Sequence, residues 1–277
     1  MNRSRTIEFL KGTVSTVILQ LVITMSGFII PRIMLIVYGS EINGIVSSLT
    51  QFINYFTLIE AGLGGAAIYA LYKPLAENNH RVINSIVAAA KNLYIKSGFL
   101  FVGFVFILAF VFPMFTDIST MNNLEVCLLT LIISMTGVLD FFTLSKYRVL
   151  LTADQRVYVI SFASSVYYII YTVIIAFASF LDVSIIVIRA LALSAIVIRS
   201  LILIVYCKKK YTWISFKETP DYTLIKSKKD VLYQQICGMV QTSMPIILAT
   251  FIIKDFKMVS VFTIYNMVLT GVNGVLG

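Results

Sequence analysis

Eight apolar stretches of about 20 residues or more follow one another along the chain, at about 13–37, 44–71, 91–115, 124–148, 157–181, 184–207, 231–253 and 258–277. A helix of that length covers the ~30 Å of hydrocarbon in a bilayer. Lipid offers no hydrogen bonds to the backbone, so a crossing segment must satisfy its own peptide groups as a helix. The chain therefore reads as an all-α polytopic membrane protein. Its composition agrees: 59% of the residues are hydrophobic and 13% charged, against roughly 45–50% and about 25% in soluble domains. A water-soluble enzyme is excluded.

Lys plus Arg outnumber Asp plus Glu by 22 to 13, and the excess is concentrated in particular breaks. Arg3, Arg5 and Lys11 precede the first stretch; Lys73, Arg81 and Lys91 lie between the second and third; Lys146, Arg148 and Arg156 lie between the fourth and fifth. Seven more lysines fill 208–230, while only Lys254 and Lys257 lie on the opposite side. By the positive-inside rule this pattern reports orientation, with a cytoplasmic N-terminus, and not nucleic-acid binding. The segments YGSEIN, PMFTDISTMNN and FLDVS are then external. The 208–230 segment divides the chain into a six-helix lobe (1–207), a basic cytoplasmic linker (208–230) and the first two helices of a second lobe (231–277). Tyr211, Trp213 and Phe216 in that linker suit the headgroup level of a membrane.

Cys127, Cys207 and Cys237 are odd in number and far apart, and His80 is the only histidine. Neither a disulfide framework nor a metal site follows from such spacing, and no catalytic constellation is expected. The basic start MNRSRTIEFLKG leads into an apolar run too long for a signal peptide and without a small-residue cleavage site, so it reads as a retained first span. No Gly-Lys-Ser/Thr phosphate loop occurs, so energy for transport would come from a gradient, with coupling to protons or sodium left open.

The two ends of the chain resemble each other. Gln20, Thr24, Gly27 and Pro31 in the first stretch are matched by Gln234, Gly238, Gln241 and Pro245 in the seventh, at a constant offset. Val46, Ser47 and Thr50 are echoed by Val259, Ser260 and Thr263. Pro31 and Pro245 each enter the outer half of an outward-running helix, where a kink frees a carbonyl. Parallel six-helix repeats are a transporter architecture in which the substrate is handled between the halves. The eighth stretch ends at GVNGVLG without a polar flank, so the expectation is a truncated transporter of 12–14 helices.

Polar residues inside the stretches fall into stripes at helical spacing: Ser47, Gln51 and Asn54; Thr136, Asp140, Thr143 and Tyr147; Ser161, Ser165, Tyr168 and Thr172. Each stripe occupies one face and must look toward other helices or water. Helix-to-helix hydrogen bonding and a shared aqueous cavity both explain such faces. Five ionisable residues, Arg32, Glu60, Asp140, Arg189 and Arg199, also lie within stretches. A charge at the bilayer centre costs roughly 2.5–3.5 kcal/mol, so most must be paired or hydrated. The candidate cavity residues are therefore Arg32, Gln51, Asn54, Glu60, Thr136, Asp140, Thr143, Arg189, Arg199, Gln234 and Gln241. Asp140 and Glu60 lie nearest the middle of their stretches. In the run after Glu60, Gly62 and Ala66 form a small-xxx-small pattern for close helix packing.

The run YGSEINGIVSSLTQFINYFTLIEAGLGGAAIYALYKPLAENN, together with YRVLLTADQRVYVIS and VSVFTIYNMV, resembles the polysaccharide flippases of the multidrug, oligosaccharidyl-lipid and polysaccharide exporter superfamily. The resemblance covers essentially the whole chain; its most specific elements are Ala-Gly-Leu-Gly and Leu-Tyr-Lys-Pro-Leu-Ala. It implies translocation of an undecaprenyl-pyrophosphate-linked oligosaccharide from the inner to the outer leaflet of a bacterial plasma membrane, by alternating access. It implies no cofactor, and as partners membrane lipids, a polysaccharide polymerase and glycosyltransferases. Guanidinium groups suit a diphosphate through their bidentate geometry. A drug or metabolite exporter of the same superfamily is the alternative, and a membrane glycosyltransferase or polymerase a more distant one. The sequence carries neither an Asp-x-Asp-like metal site nor a membrane-embedded histidine for such an enzyme.

Overall fold

The computed structural model describes residues 3–115, 120–181, 183–216, 218–225, 237, 244–253 and 255–276, and among them there is no β-strand. The helices are α1 (Arg3–Ala76), α2 (His80–Phe115), α3 (Asn123–Leu139), α4 (Ser145–Ala153), α5 (Val157–Ser179), α6 (Ile185–Lys210) and α7 (Phe256–Leu276). A π turn, Asp140–Leu144, joins α3 to α4 without a break. Five helical segments among the described residues are long and apolar enough to cross a membrane. Large apolar side chains such as Met25, Ile36, Phe110 and Phe177 are exposed on outer faces, as expected where lipid replaces water. The chain is a membrane-embedded helical protein.

The expected six-residue loop YGSEIN is absent from the fold. Helical geometry runs through it, broken only at Gly39, where φ is 80° and ψ is 172°. That region of backbone space is essentially restricted to glycine. The chain turns back there. In the first leg, Glu8 meets Arg156, Thr16 meets Ser161 and the Tyr38 hydroxyl donates to the Val183 carbonyl at 2.7 Å, so residues 3–38 run parallel to α5. In the second leg, Phe52 meets Phe112, Phe56 stacks on Phe104 with centroids 4.9 Å apart, and Gly64 approaches Tyr94. Residues 40–76 therefore run antiparallel to α2 and return to the end from which the chain started. Pro31 lies within helical dihedrals, eight residues before the break.

The core lies between the second leg, α2, α3 and α4, with Leu49, Leu71, Phe101, Leu129 and Leu150 fully enclosed. Glycines set two close approaches. A Cβ on Gly137 would stand 2.7 Å from the Phe101 ring, and one on Gly44 would stand 1.9 Å from the Phe256 carbonyl oxygen. The latter contact docks the start of α7 on the second leg. Buried hydrogen bonds flank it, from Asn43 to Ser260 at 2.8 Å and between Ser48 and Thr250 at 2.7 Å.

At the basic end, the turn between α4 and α5 forms a hub. Gln155 adopts a left-handed φ of 59°, which turns Asp154 and Arg156 toward each other. Arg156 donates to Asp154 at 2.7 Å, to the Tyr206 hydroxyl at 3.0 Å and to the Tyr158 hydroxyl at 3.3 Å, and pairs with Glu8 at 3.4 Å. The Tyr211 hydroxyl donates to the same Asp154 oxygen at 2.5 Å. Burial and that hydrogen bond hold the Tyr211 phenol well above its ordinary pKa.

The segment after α6 forms a strap along α2. Trp213 stacks on His80 with centroids 3.9 Å apart. Asn84 clasps the backbone on both sides, donating to the Trp213 carbonyl and accepting from the Ser215 amide. Ser85 and Asn92 bond Thr219 and Tyr222. Of the three aromatic residues expected at headgroup level, Tyr211 is buried, and Trp213 and Phe216 pack against the helices.

Candidate functional site

Asp140 opens the π turn, and the turn sets its direction. On a continuous α-helix, at about 100° per residue, Asp140 and Arg148 would point about 80° apart. The π turn's extra residue removes roughly one residue's rotation and brings them onto one face. Its signature is present: the Ser145 amide bonds the Asp140 carbonyl five residues back, and the Ser145 hydroxyl bonds that carbonyl at 3.0 Å. Long side chains on a helix reach back toward its N-terminus. Arg148 accordingly donates to Asp140 Oδ2 at 3.0 Å.

From the facing helix α6, Arg199 brings its Nη1 to 3.6 Å from Asp140 Oδ1. That oxygen and Arg199 Nε are both buried and lack a hydrogen-bond partner among the described residues. The Arg199 guanidinium lies over the Tyr167 ring, 5.8 Å from its centroid. The arrangement surrounds a cavity of about 320 Å³. Asn54 enters it from the second leg of α1, Thr136 and Gly137 from α3, and Tyr167 and Tyr168 from α5.

A second guanidinium lies farther along the same α5–α6 seam. Arg189 is buried, with 8% of its surface exposed, donates to the Tyr171 hydroxyl and lies over the Tyr171 ring. Tyr171 in turn stacks on Tyr167. Arg189 Nε has no hydrogen-bond partner, and the side chain has no carboxylate partner among the described residues. Arg199 Nε and Arg189 Nε are thus two buried donors on one seam without a hydrogen-bond partner among the described residues. A buried donor left unmade is costly, so the arrangement favours a ligand with several acceptor oxygens.

Of the residues expected from sequence, Asn54, Thr136, Asp140 and Arg199 meet at the cavity. Thr136 and Thr143 spend their hydroxyls on the Ile133 and Leu139 carbonyls. Gln51 is half-buried outside the lining, and Arg32 is exposed on the first leg of α1. The side chain of Glu60, together with Gln234 and Gln241, lies outside the described residues. Pro245 is exposed.

Arg148 and Tyr167 are the residues that sequence reasoning missed. Arg148 counts as a loop cation only if the fourth span stops before it. The apolar run VLLTA that carries the helix to Ala153 was the available signal. Tyr167 was marked only by its i, i+4 spacing from Tyr171. No group of three or more His, Cys, Asp or Glu gathers among the described residues. Compared with known proteins, the chain matches no protein-family model, no curated protein and no solved structure.

Proposed function

We propose that the chain forms the first lobe, and the beginning of the second, of a flippase that carries a lipid-linked oligosaccharide across a bacterial plasma membrane. The observation that carries this reading is the Asp140 carboxylate shared by Arg148 and Arg199 in a tyrosine-lined cavity with an unsatisfied guanidinium donor. A diphosphate supplies the missing acceptors in a geometry that guanidinium matches. Tyrosine rings and hydroxyls suit a sugar. An exporter of cationic drugs would instead present a carboxylate to its cargo, whereas Asp140 is engaged by Arg148 and Arg199. The cavity polarises no bond and needs no cofactor; its task is to replace water around a charged headgroup while the lobes rock.

In this reading the chain makes eight crossings, and the seventh and eighth repeat the first and second. Support comes from Thr50 and Thr263, matched positions whose hydroxyls make the same bond to the carbonyl four residues back, at Val46 and Val259. The basic end, with the N-terminus and the strap, faces the cytoplasm. Single cysteines at 208–216, in a background without native cysteines, should then resist impermeant thiol reagents added to intact cells. Cysteines at 120–122 should label. The opposite pattern would invert the assignment.

The function itself is tested by surface polysaccharide in a strain lacking its own flippase, with membrane abundance of each variant measured alongside. Arg199→Ala should reduce the polysaccharide to background. Arg199→Lys should restore part of it, since an ammonium keeps the charge but loses the planar fork. Full polysaccharide from Arg199→Ala at normal abundance would remove the cavity from the transport path.

A further inference from the structure

At the basic end, two lysines lie where the strap runs beside α2 and α4. Lys146 directly follows the π turn, and its ammonium lies 5.2 Å from the Tyr147 ring centroid and 5.3 Å from that of Phe216. The Phe216 ring is held there edge to face with Tyr147, and the strap carrying it is clasped by Asn84. Lys91 on α2 lies within electrostatic reach of Lys146 and next to Asn92, which bonds Tyr222 on the strap; both lysine side chains are half-buried.

Most of the described carboxylates at this end have other partners. Glu8 and Asp154 pair with Arg156, Glu77 pairs with Lys73, and Asp140 pairs with Arg148 and Arg199. Asp221 accepts from the Thr223 amide and hydroxyl. Glu218 is exposed and forms no ion pair among the described residues. Lys91 and Lys146 have no acidic partner among the described residues. Like charges on neighbouring half-buried side chains repel unless an anion joins them. A headgroup with a phosphate fits, because its oxygens can accept from both ammonium groups while its acyl chains run beside the exposed apolar flanks of the helices.

We propose that Lys91, Lys146 and Phe216 form a binding site for the phosphate of an acidic bilayer phospholipid, seated between α2, α4 and the strap. The site is distinct from the Asp140 cavity and does not depend on what is transported. Occupancy would neutralise the lysine pair and fix the strap against α2.

Trp213, the chain's only tryptophan, lies on that strap, three residues before Phe216. Its fluorescence reports the site directly. The purified full chain is reconstituted in bilayers that mix unlabelled phosphatidylcholine with a brominated-chain lipid, either phosphatidylglycerol or phosphatidylcholine. Brominated phosphatidylglycerol should quench Trp213 at a roughly tenfold lower mole fraction than brominated phosphatidylcholine, in line with two lysines meeting one acidic headgroup. Lys91→Gln with Lys146→Gln should erase the preference, and Lys146→Arg should keep it. Lys208→Gln with Lys209→Gln should leave it unchanged, since both are exposed on α6.

Unchanged Trp213 emission and a monodisperse profile establish that each variant is folded before it is scored. Equal quenching by the two brominated lipids overturns the proposal. So does a preference that survives the Lys91/Lys146 pair but falls with Lys208 and Lys209, which would mark diffuse surface charge. Release of quenching by micromolar inorganic diphosphate, with no effect of phosphate, would assign the two lysines to a diphosphate-bearing lipid and also overturn it.

Discussion

Asp140→Asn is expected to abolish delivery of the lipid-linked sugar to the outer leaflet while leaving the protein inserted and abundant. The amide keeps the shape of the carboxylate and one acceptor for Arg148. It removes the charge that lets two guanidiniums occupy one cavity. Removing one partner of an enclosed ion pair costs ~3–5 kcal/mol. The Asp140 side chain is 22% exposed, so about 2 kcal/mol of stability is the expected loss, below that range. A second change, Arg148→Gln, should return part of this stability by removing the guanidinium that has lost Asp140 as its counter-charge, yet delivery should stay at background. Thermal unfolding in detergent and surface polysaccharide read on the unaltered protein, Asp140→Asn and the double variant separate the two effects. Normal polysaccharide from Asp140→Asn would reduce Asp140 to a structural hydrogen-bonding group. Thr136→Val should only weaken delivery, because that hydroxyl is already engaged with the Ile133 carbonyl.

The second large effect is expected at Arg156, far from the cavity. Its guanidinium joins Glu8 near the start of α1, Asp154 and Tyr158 beside the α4–α5 turn, and Tyr206 near the end of α6. Its side chain is only 15% exposed. Arg156→Ala leaves Asp154, whose side chain is 31% exposed, with the Tyr211 hydroxyl as its remaining partner among the described residues, at an expected cost of about 2 kcal/mol. The loss falls on the anchor of the strap, since Tyr211 and Arg156 share one Asp154 oxygen. Trypsin should then cut after Lys208–Lys210 roughly tenfold faster than in the unaltered protein, because local opening sets the rate. Trp213 emission should shift to the red. An unchanged cleavage rate would show that His80 and Asn84 hold the strap without the hub.

Much of the helical layout was legible because hydropathy over 20 residues is a strong signal. The expected spans 157–181 and 184–207 fall close to α5 and α6. Departures arose where a residue outside the apolar pattern kept its helical dihedrals. Ser40, Glu41 and Asn43 read as a loop by polarity, but Asn43 finds a buried partner in Ser260, and only Gly39 leaves the helix. α2 likewise begins at His80, 11 residues before its apolar stretch, because Asn84 and Asn92 spend their polar groups on the strap. At the cavity, the stripe through Thr136 and Asp140 pointed to the correct face of α3. The partner Arg148 was hidden because its approach depends on a π turn, and no pattern of residue types announces one. The pairing of Tyr167 with Arg199 and of Tyr171 with Arg189 joins different helices, so it emerges only when α5 and α6 are packed.

Gly39 has a mechanical consequence. A loop of several residues would act as a spring and absorb the movement of one helix before it reached the next. A one-residue turn between legs of more than 30 residues has no such slack. The first leg is fastened to α5 through Thr16 and to the α5–α6 connection through Tyr38, and the second to α7 through Asn43 and to Thr250 before α7 through Ser48. A tilt of α5 is therefore passed across Gly39 as leverage and delivered at the far contact. The two legs form a crank whose pivot is a residue without a side chain.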